Sequence, residues 1–270
     1  MKASYCRRCG SKVPEDARFC PICGTNLASE TGPSEIHRTL KTKGKPKVVV
    51  ENFSPGSIEA KHGTEGQVTV DLDLRAPEDL DCNVSQDADL IKIICRLKSS
   101  WSWPSNIFGS KPKADIFISV PNETDLELEN KAGRIAISGI KGMLSAESSA
   151  GTISVQDCEG TVKTRTKAGS INLGNVNGTV TAHSSAGSIT FKGTLSETDS
   201  WFRSNIGSID ITLDRKAGLT VEASASLGTV RCIPELTDVR YERGRQIGRI
   251  RTGKGKLIVE TNIGSITIRS

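Results

Sequence analysis

The chain has 270 residues, of which 36% are hydrophobic, 4% are aromatic and 26 are glycine. This composition excludes a wholly disordered protein and favours a core of small and branched aliphatic side chains, which is typical of many short strands. No apolar run approaches the roughly 18 residues of a membrane helix, and the N-terminus lacks the apolar stretch of a signal peptide. We therefore expect a cytoplasmic protein with no membrane span.

The net charge of +5 is unevenly distributed along the chain. Residues 1–47 carry 10 Lys/Arg and 4 Asp/Glu, whereas residues 48–270 are nearly neutral. Within that larger part, residues 71–89 carry seven acids and one Arg, and residues 240–256 carry seven Lys/Arg and one Glu. If the two segments lie at opposite ends of the fold, head-to-tail self-association would match opposite charges.

Four cysteines near the N-terminus form two CxxC pairs: Cys6 with Cys9, and Cys20 with Cys23. Two such pairs supply the tetrahedral thiolate shell that zinc prefers, and no coordination position is left open. We therefore expect one structural zinc ion per chain; a disulfide pair and an iron centre are the alternatives. Because this segment is too short to bury a core, bound metal should supply most of its folding free energy.

The run CRRCGSKVPEDARFCPICGTNL resembles the short zinc-ribbon module found at the N-termini of many bacterial and archaeal proteins. Such modules are adaptors, so the resemblance implies that residues 1–27 recruit a partner. Residues 28–47 shift to Ser, Thr, Gly, Pro and Lys, which predicts a flexible basic linker. The remaining residues, 48–270, are assigned to one repeat domain.

Glycines recur every nine residues between positions 133 and 187, and alternating apolar residues follow most of them, as in GTISV and GSINL. Alternation with a period of two predicts short strands with one buried face. Two strands per coil of about 18 residues predict an all-β, single-stranded β-helix or β-solenoid, with right-handed winding favoured by crossover geometry. An antiparallel sandwich is the alternative, but its hairpin loops would vary in length.

Stacked coils should align equivalent residues into two aliphatic ladders. A Ser or Thr beside each corner glycine should hydrogen-bond the next coil. The less regular copies, including GQVTV at residue 66 and GRIRT at residue 248, are assigned to the same series. The first expected ladder is Ile135, Ile153, Ile171, Ile189, Ile209 and Ile266, and the second is Val162, Val180, Leu219 and Val230.

The runs SSAGTISV, TKAGSINL and HSSAGSITF resemble the putative-adhesin family of β-strand-repeat proteins, a domain of unknown function. The resemblance covers roughly residues 48–270. It implies a β-helix and supplies no catalytic residues to carry over.

An insertion, KSSWSWPSNIFGSKPKAD, interrupts the repeat and places Trp101, Trp103 and Phe108 within eight residues. These aromatics are candidates for a groove that binds sugar or peptide, although a hydrophobic flap over the solenoid is the favoured interpretation. Trp201 and Phe202 fall where the repeat stretches from 18 to 20 residues, which suggests a bulged corner.

The remaining cysteines and histidines show no motif. We expect the cysteines outside the ribbon to be buried free thiols, and the histidines support no nucleophile–histidine–acid order. The acidic residues near position 75 lack a calcium-loop pattern and are expected to be a solvated edge. These residues are Cys82, Cys95, Cys158 and Cys232; His37, His62 and His183; and Asp71, Asp73, Asp79 and Asp81.

These patterns favour a non-catalytic, adhesin-like β-solenoid that acts as a scaffold or binding protein, with the zinc ribbon recruiting a protein partner. The alternative is a nucleic-acid-associated regulator that uses the ribbon and basic linker, which would require salt-dependent affinity. No enzyme activity is expected.

Overall fold

The computed structural model describes residues 4–5, 12–13, 34–98, 111–214, 218–233, 236–242, 245–251 and 254–270. Within this part of the chain the secondary structure is strand, with one 3₁₀ turn at Pro77–Asp79. None of its helical residues forms a segment long and apolar enough to cross a membrane. A short antiparallel pair, β1 (Ser4–Tyr5) with β2 (Lys12–Val13), brackets residues 6–11.

The other strands form two layers that enclose one apolar core. Layer A runs, from one end of the stack to the other, through β3 (Ser34–Lys41), β6 (Gln67–Arg75), β9 (Lys113–Val120), β5 (Ile58–His62), β11 (Ile135–Ser138), β13 (Ile153–Gln156), the first part of β15 (Ile171–Ala186), β16 (Ile189–Leu195), β18 (Ile209–Leu213), β24 (Ile266–Arg269) and β20 (Val230–Ile233).

Layer B runs in the same direction through β7 (Leu80–Asp87), β8 (Leu90–Leu97), β4 (Lys47–Pro55), β10 (Asp125–Ala132), β12 (Lys141–Ala150), β14 (Glu159–Ala168), the second part of β15, β17 (Ser200–Ile206), β23 (Gly255–Ile263), β19 (Leu219–Leu227), β22 (Arg245–Ile250) and β21 (Thr237–Glu242). The chain passes from a layer B strand to a layer A strand and back, which makes the solenoid-like coil that the repeat predicts. The winding direction stays a prediction.

The first predicted ladder is confirmed. Parallel pairing aligns Ile135, Ile153, Ile171, Ile189 and then Ile209 and Ile266, and each of these side chains is fully buried. The second ladder is only partly right, because Val162 aligns with Val180 but Val230 lies in layer A, opposite Ile266.

The coils are not stacked in chain order at either end of the solenoid. Strands β8 and β9 lie outside β4 and β5, and the chain then returns to place β10 and β11 on the other side of β4 and β5. Likewise β23 and β24 lie between β17–β18 and the outermost coil, β19–β20. The sequential series predicted from the repeats is therefore wrong at both ends.

Antiparallel strands cover most of the two ends. Strand β6 pairs with β9 and β7 with β8, and at the other end β22 pairs with β19. GQVTV and GRIRT belong to β6 and β22, so they are caps and not coils. The acidic 71–89 segment and the basic 240–256 segment thus lie at opposite ends, as the self-association hypothesis requires; association itself stays a prediction.

Part of the predicted flexible linker is folded. Residues 34–41 form β3, which pairs antiparallel with β6, and the Lys45 ammonium lies 2.6 Å from the Asp125 carboxylate. The prediction of a flexible tether over residues 28–47 is therefore wrong for residues 34–47. A strand forms there because β6 offers an edge that β3 completes.

Corner glycines let neighbouring coils touch. Gly169 has φ +140°, and a Cβ atom there would lie 2.0 Å from the carbonyl oxygen of Gly151 in the preceding coil. That backbone region is essentially restricted to glycine. Only a residue without a side chain therefore fits this column.

Inward hydroxyl groups three residues before the corner glycine complete the corner. Ser184 Oγ donates to the Gly169 carbonyl at 3.1 Å, and Ser204 Oγ donates to the Gly187 carbonyl at 3.0 Å. We expected the residue after the glycine to make this contact, and it does so only near the last coils, where Thr229 Oγ1 donates to Ser265 Oγ. The inward hydroxyl satisfies a carbonyl that the core would otherwise desolvate.

Replacement of Ile171 by Asp should prevent folding, because it buries an unpaired carboxylate in a dry ladder at a cost of several kcal/mol, about the whole stability of a marginal domain. Asn172, which points outward from the same strand, is the matched control. Chemical denaturation and soluble yield should show severe loss for Ile171→Asp and little change for Asn172→Asp. Equal tolerance at both positions would contradict the assignment of inward and outward faces.

Replacement of Gly169 by Ala should lower the free energy of unfolding by about 1–3 kcal/mol from backbone strain, and further from the clash with Gly151. Gly174 is the control, because its φ is not in the positive region and a Cβ there meets only the side chain of Gln156. We expect Gly174→Ala to be the milder change in a denaturant titration. A Gly174 variant as unstable as the Gly169 variant would argue against the corner explanation.

Candidate binding surface on layer B

A concentrated positive patch lies on the outer face of layer B. Strand β14 presents Lys163, Arg165 and Lys167 outward, every second residue, and all three are exposed. Parallel pairing places Thr181 and His183 of β15 beside Lys163 and Arg165. Trp201 and Arg203 of β17 follow on the next strand. We call these residues the basic platform: Lys163, Arg165, Lys167, Thr181, His183, Trp201 and Arg203.

The coil period brings the platform together. Arg165 and His183 are 18 residues apart, which is one coil, whereas His183 and Arg203 are 20 residues apart. The two extra residues are taken up at the corner before β17, where Thr179 and Ser196 hydroxyls lie 2.8 Å apart. The bulged corner predicted at this point is thus present, and the register of layer B continues across it.

Carboxylates on this face lie beside the platform and not within it. One row crosses six strands in register: Glu129, Glu147, Arg165, His183, Arg203 and Glu260. The Arg165 guanidinium is 4.0 Å from Glu147 and that of Arg203 is 3.8 Å from Glu260, so both contacts are long. Among the residues that the structure describes, no carboxylate lies within salt-bridge distance of Lys163 or Lys167.

His183 and Trp201 give the platform a neutral, ring-bearing component. Partial burial, Arg165 and Arg203 lower the pKa of His183, in that order of importance, so its imidazole is neutral near pH 7. Trp201 is 47% exposed, whereas the neighbouring Phe202 is buried against Phe191 with ring centroids 5.3 Å apart. The two adjacent aromatics therefore differ: Phe202 packs the core, and Trp201 faces solvent among cations.

Both predicted site clusters lie outside the described residues. The zinc ligands Cys6, Cys9, Cys20 and Cys23 fall there, and the β1–β2 pair only brackets the first CxxC in the sequence. Trp101, Trp103 and Phe108 fall in the undescribed segment 99–110. That segment connects β8 to β9, so it belongs to the outermost coil at the acidic end.

A possible catalytic arrangement lies on layer A, where sequence reasoning found none. His37 Nδ1 is 2.5 Å from Asp71 Oδ1, and Thr39 Oγ1 is 3.3 Å from His37 Nε2. The side chains of His37 and Asp71 are 65% and 51% exposed on the outer face of a sheet. A hydroxyl–imidazole–carboxylate chain so open to water lacks the desolvation and preorganised donors that make such groups catalytic.

A groove of about 700 Å³ lies at the corner after β16 and β18, and its charges are mixed. Lys192 and Arg269 are cationic, whereas Asp214 contributes a carboxylate. Asn175, Asn177 and Thr212 supply amide and hydroxyl groups. This lining selects no one charge, so the basic platform is the better-defined site.

The expectation of four free thiols outside the ribbon is wrong for one pair. Cys82 and Cys95 face each other across β7 and β8 and form a disulfide. Cys158 and Cys232 are free, and burial raises the pKa of each. The repeat gave no sign of this pairing, because β7 is an antiparallel cap.

The lowered pKa of His183 predicts a pH response. The folded protein keeps His183 neutral below the ordinary histidine pKa, so the unfolded chain takes up the proton first and stability should fall as pH drops from the ordinary to the lowered value. Histidine NMR titration, assigned with His183→Gln, should show this low pKa. Arg165→Gln with Arg203→Gln should raise it; an unchanged value would contradict the proposed cause.

Comparison with known protein families gives two matches. Residues 5–27 match the zinc-ribbon domain, and residues 113–269 match the family described as Toastrack DUF4097, which is more than half of the chain. No curated protein matches the chain.

Several solved structures are similar to this chain at low identity. A "putative cell adhesion protein" from Clostridium sporogenes ATCC 15579 is 13% identical, covering 88% of this chain and 99% of that one, with a TM-score of 0.36. A "putative adhesin" from Bacteroides fragilis NCTC 9343 is 14% identical, covering 88% and 98%, with a TM-score of 0.46. A "putative lipid binding protein" from Parabacteroides distasonis ATCC 8503 is 14% identical, covering 87% and 96%, with a TM-score of 0.35.

Proposed function

Since the chain belongs to the Toastrack DUF4097 family, we propose that it is a non-catalytic binding scaffold in which the solenoid holds a ligand and the N-terminal zinc ribbon recruits a protein partner. The basic platform is the single observation that carries the ligand-holding part. Four cations, one exposed Trp and no carboxylate occupy seven positions on three adjacent strands.

The platform suits binding because its backbone is rigid. Its strands are paired on both sides within layer B, and the inward neighbours Val162, Thr164 and Ala182 are buried. Side chains held at fixed spacings by paired strands lose little entropy on binding, which favours affinity and selectivity. The same regularity offers no deep pocket around the platform, which fits recognition better than chemistry.

The adaptor part of the proposal rests on the ribbon match at residues 5–27. Four thiolates from Cys6, Cys9, Cys20 and Cys23 would complete a zinc shell with no position left for a substrate. Bound zinc would therefore order the module and present its surface to a partner. The nucleic-acid-associated alternative would use the same module together with the basic residues that follow it.

Two features of the cysteines bear on location. Four thiolates that bind zinc must stay reduced, which favours the cytoplasm and is the basis on which we include a cytoplasmic location in the proposal. The Cys82–Cys95 disulfide favours an oxidising compartment instead. The redox state of this pair in protein isolated from its native cell would distinguish the two.

The adaptor role predicts that a Cys20→Ser, Cys23→Ser variant loses its one zinc ion and its partner while the solenoid stays folded. Metal analysis should fall from about one zinc per chain to near zero, because half of a tetrahedral shell is gone. Affinity capture from native lysate, with full-length protein and this variant side by side, should show the partner only with the former.

A solenoid variant, Thr181→Ala, is the matched control, because this exposed hydroxyl lies far from the ribbon in sequence. It should keep both zinc and partner. Unchanged zinc in the double serine variant would overturn the metal assignment. Retained capture after zinc loss would overturn the adaptor role.

A further inference from the structure

We propose that the basic platform binds single-stranded nucleic acid, with Trp201 stacking on a base and Lys163, Arg165, Lys167 and Arg203 contacting phosphates. The inference deepens the proposed scaffold function, on which it rests, by naming the ligand class. It also moves the nucleic-acid contact from the ribbon and linker, where sequence reasoning placed it, to the solenoid.

The charge of the platform requires an anionic ligand. Lys163 and Lys167 have no carboxylate partner among the described residues, and the contacts of Arg165 and Arg203 with glutamates are long. Guanidinium groups suit phosphate particularly, because their planar donors bind two oxygens at once. Arg165 and Arg203 flank His183 across two strand spacings, about 9–10 Å.

The exposed ring narrows the class of anion. Trp201 is 47% exposed, and its strand neighbour on the platform is the small Thr181, so one face of the ring is accessible from above the sheet. Flat sheets that bind single strands combine cations with aromatic side chains on which bases stack. A duplex hides its base faces in its own stack, so it would leave Trp201 without a partner.

The flanking carboxylates set the direction of the ligand. A polyanion that ran along the stack of coils would meet Glu147 on one side and Glu260 on the other. A strand that runs parallel to β14 stays on Lys163, Arg165 and Lys167, which are spaced about 6.6 Å apart. The platform is therefore sized for a few nucleotides, held along the strand direction.

Fluorescence anisotropy with full-length protein and labelled dT15 tests the inference. Four phosphate contacts predict an affinity about 50-fold lower at 200 mM than at 50 mM salt. Lys163→Gln with Lys167→Gln should lower the slope of log affinity against log salt by about 1.4, or 0.7 for each contact removed. Trp201→Ala should weaken binding at least about fivefold, and Trp201→Phe should restore most of that loss.

Lys61→Gln with Arg134→Gln is the charge-matched control, since both are exposed cations away from the platform. It should leave affinity within about twofold, and circular dichroism should show every variant folded. Equal loss in the control, a Trp201→Ala variant that binds like the parent, or dependence on the ribbon cysteines alone would overturn the inference.

Three further probes distinguish other ligands. Binding confined to heparin, to phosphatidylglycerol vesicles or to a 15-base-pair duplex would show that the platform serves another polyanion, and the inference would fall. If dT15 fails to bind while the ribbon-dependent partner is still captured, the scaffold proposal stands and only the ligand class is wrong. Loss of both would reject the two proposals together.

Discussion

The fold depends on the contact between corner glycines of successive coils. At Gly169 the backbone approaches Gly151 so closely that a Cβ atom would lie 2.0 Å from a carbonyl oxygen. This contact lets each coil sit directly on the one before it, so that Ile153 and Ile171 meet in register. Burial of the isoleucine ladder and satisfaction of the glycine carbonyls by inward hydroxyls both follow from that spacing.

Inward and outward positions along each strand are under separate constraints. Inward residues such as Val162 and Thr164 must fit a dry core shared by both layers, whereas outward residues such as Lys163 and Arg165 contact solvent. The outer faces can therefore vary without altering the fold. The basic platform lies on the most regular coils, where a fixed backbone holds unlike side chains at set intervals.

Sequence reasoning succeeded where the repeat is constant and failed where it is not. Even spacing fixes neighbours, so the ladder through Ile135 and Ile153 could be predicted. Alternation alone says which side chains face inward but not which strand lies alongside, so the antiparallel caps β6 and β22 and the place of Val230 were missed. The platform was missed because the 20-residue step hides the alignment of His183 with Arg203.

The interleaved order of the last coils constrains how the protein emerges from the ribosome. Strands β19 and β20 leave the ribosome before β23 and β24, yet they pair with them and not with β17 and β18. Domains begin to fold as they are synthesised, at about 5–20 residues per second. The growing stack must therefore leave β17 and β18 uncovered for seconds until residues 255–269 arrive, so the solenoid closes by insertion and not by simple addition.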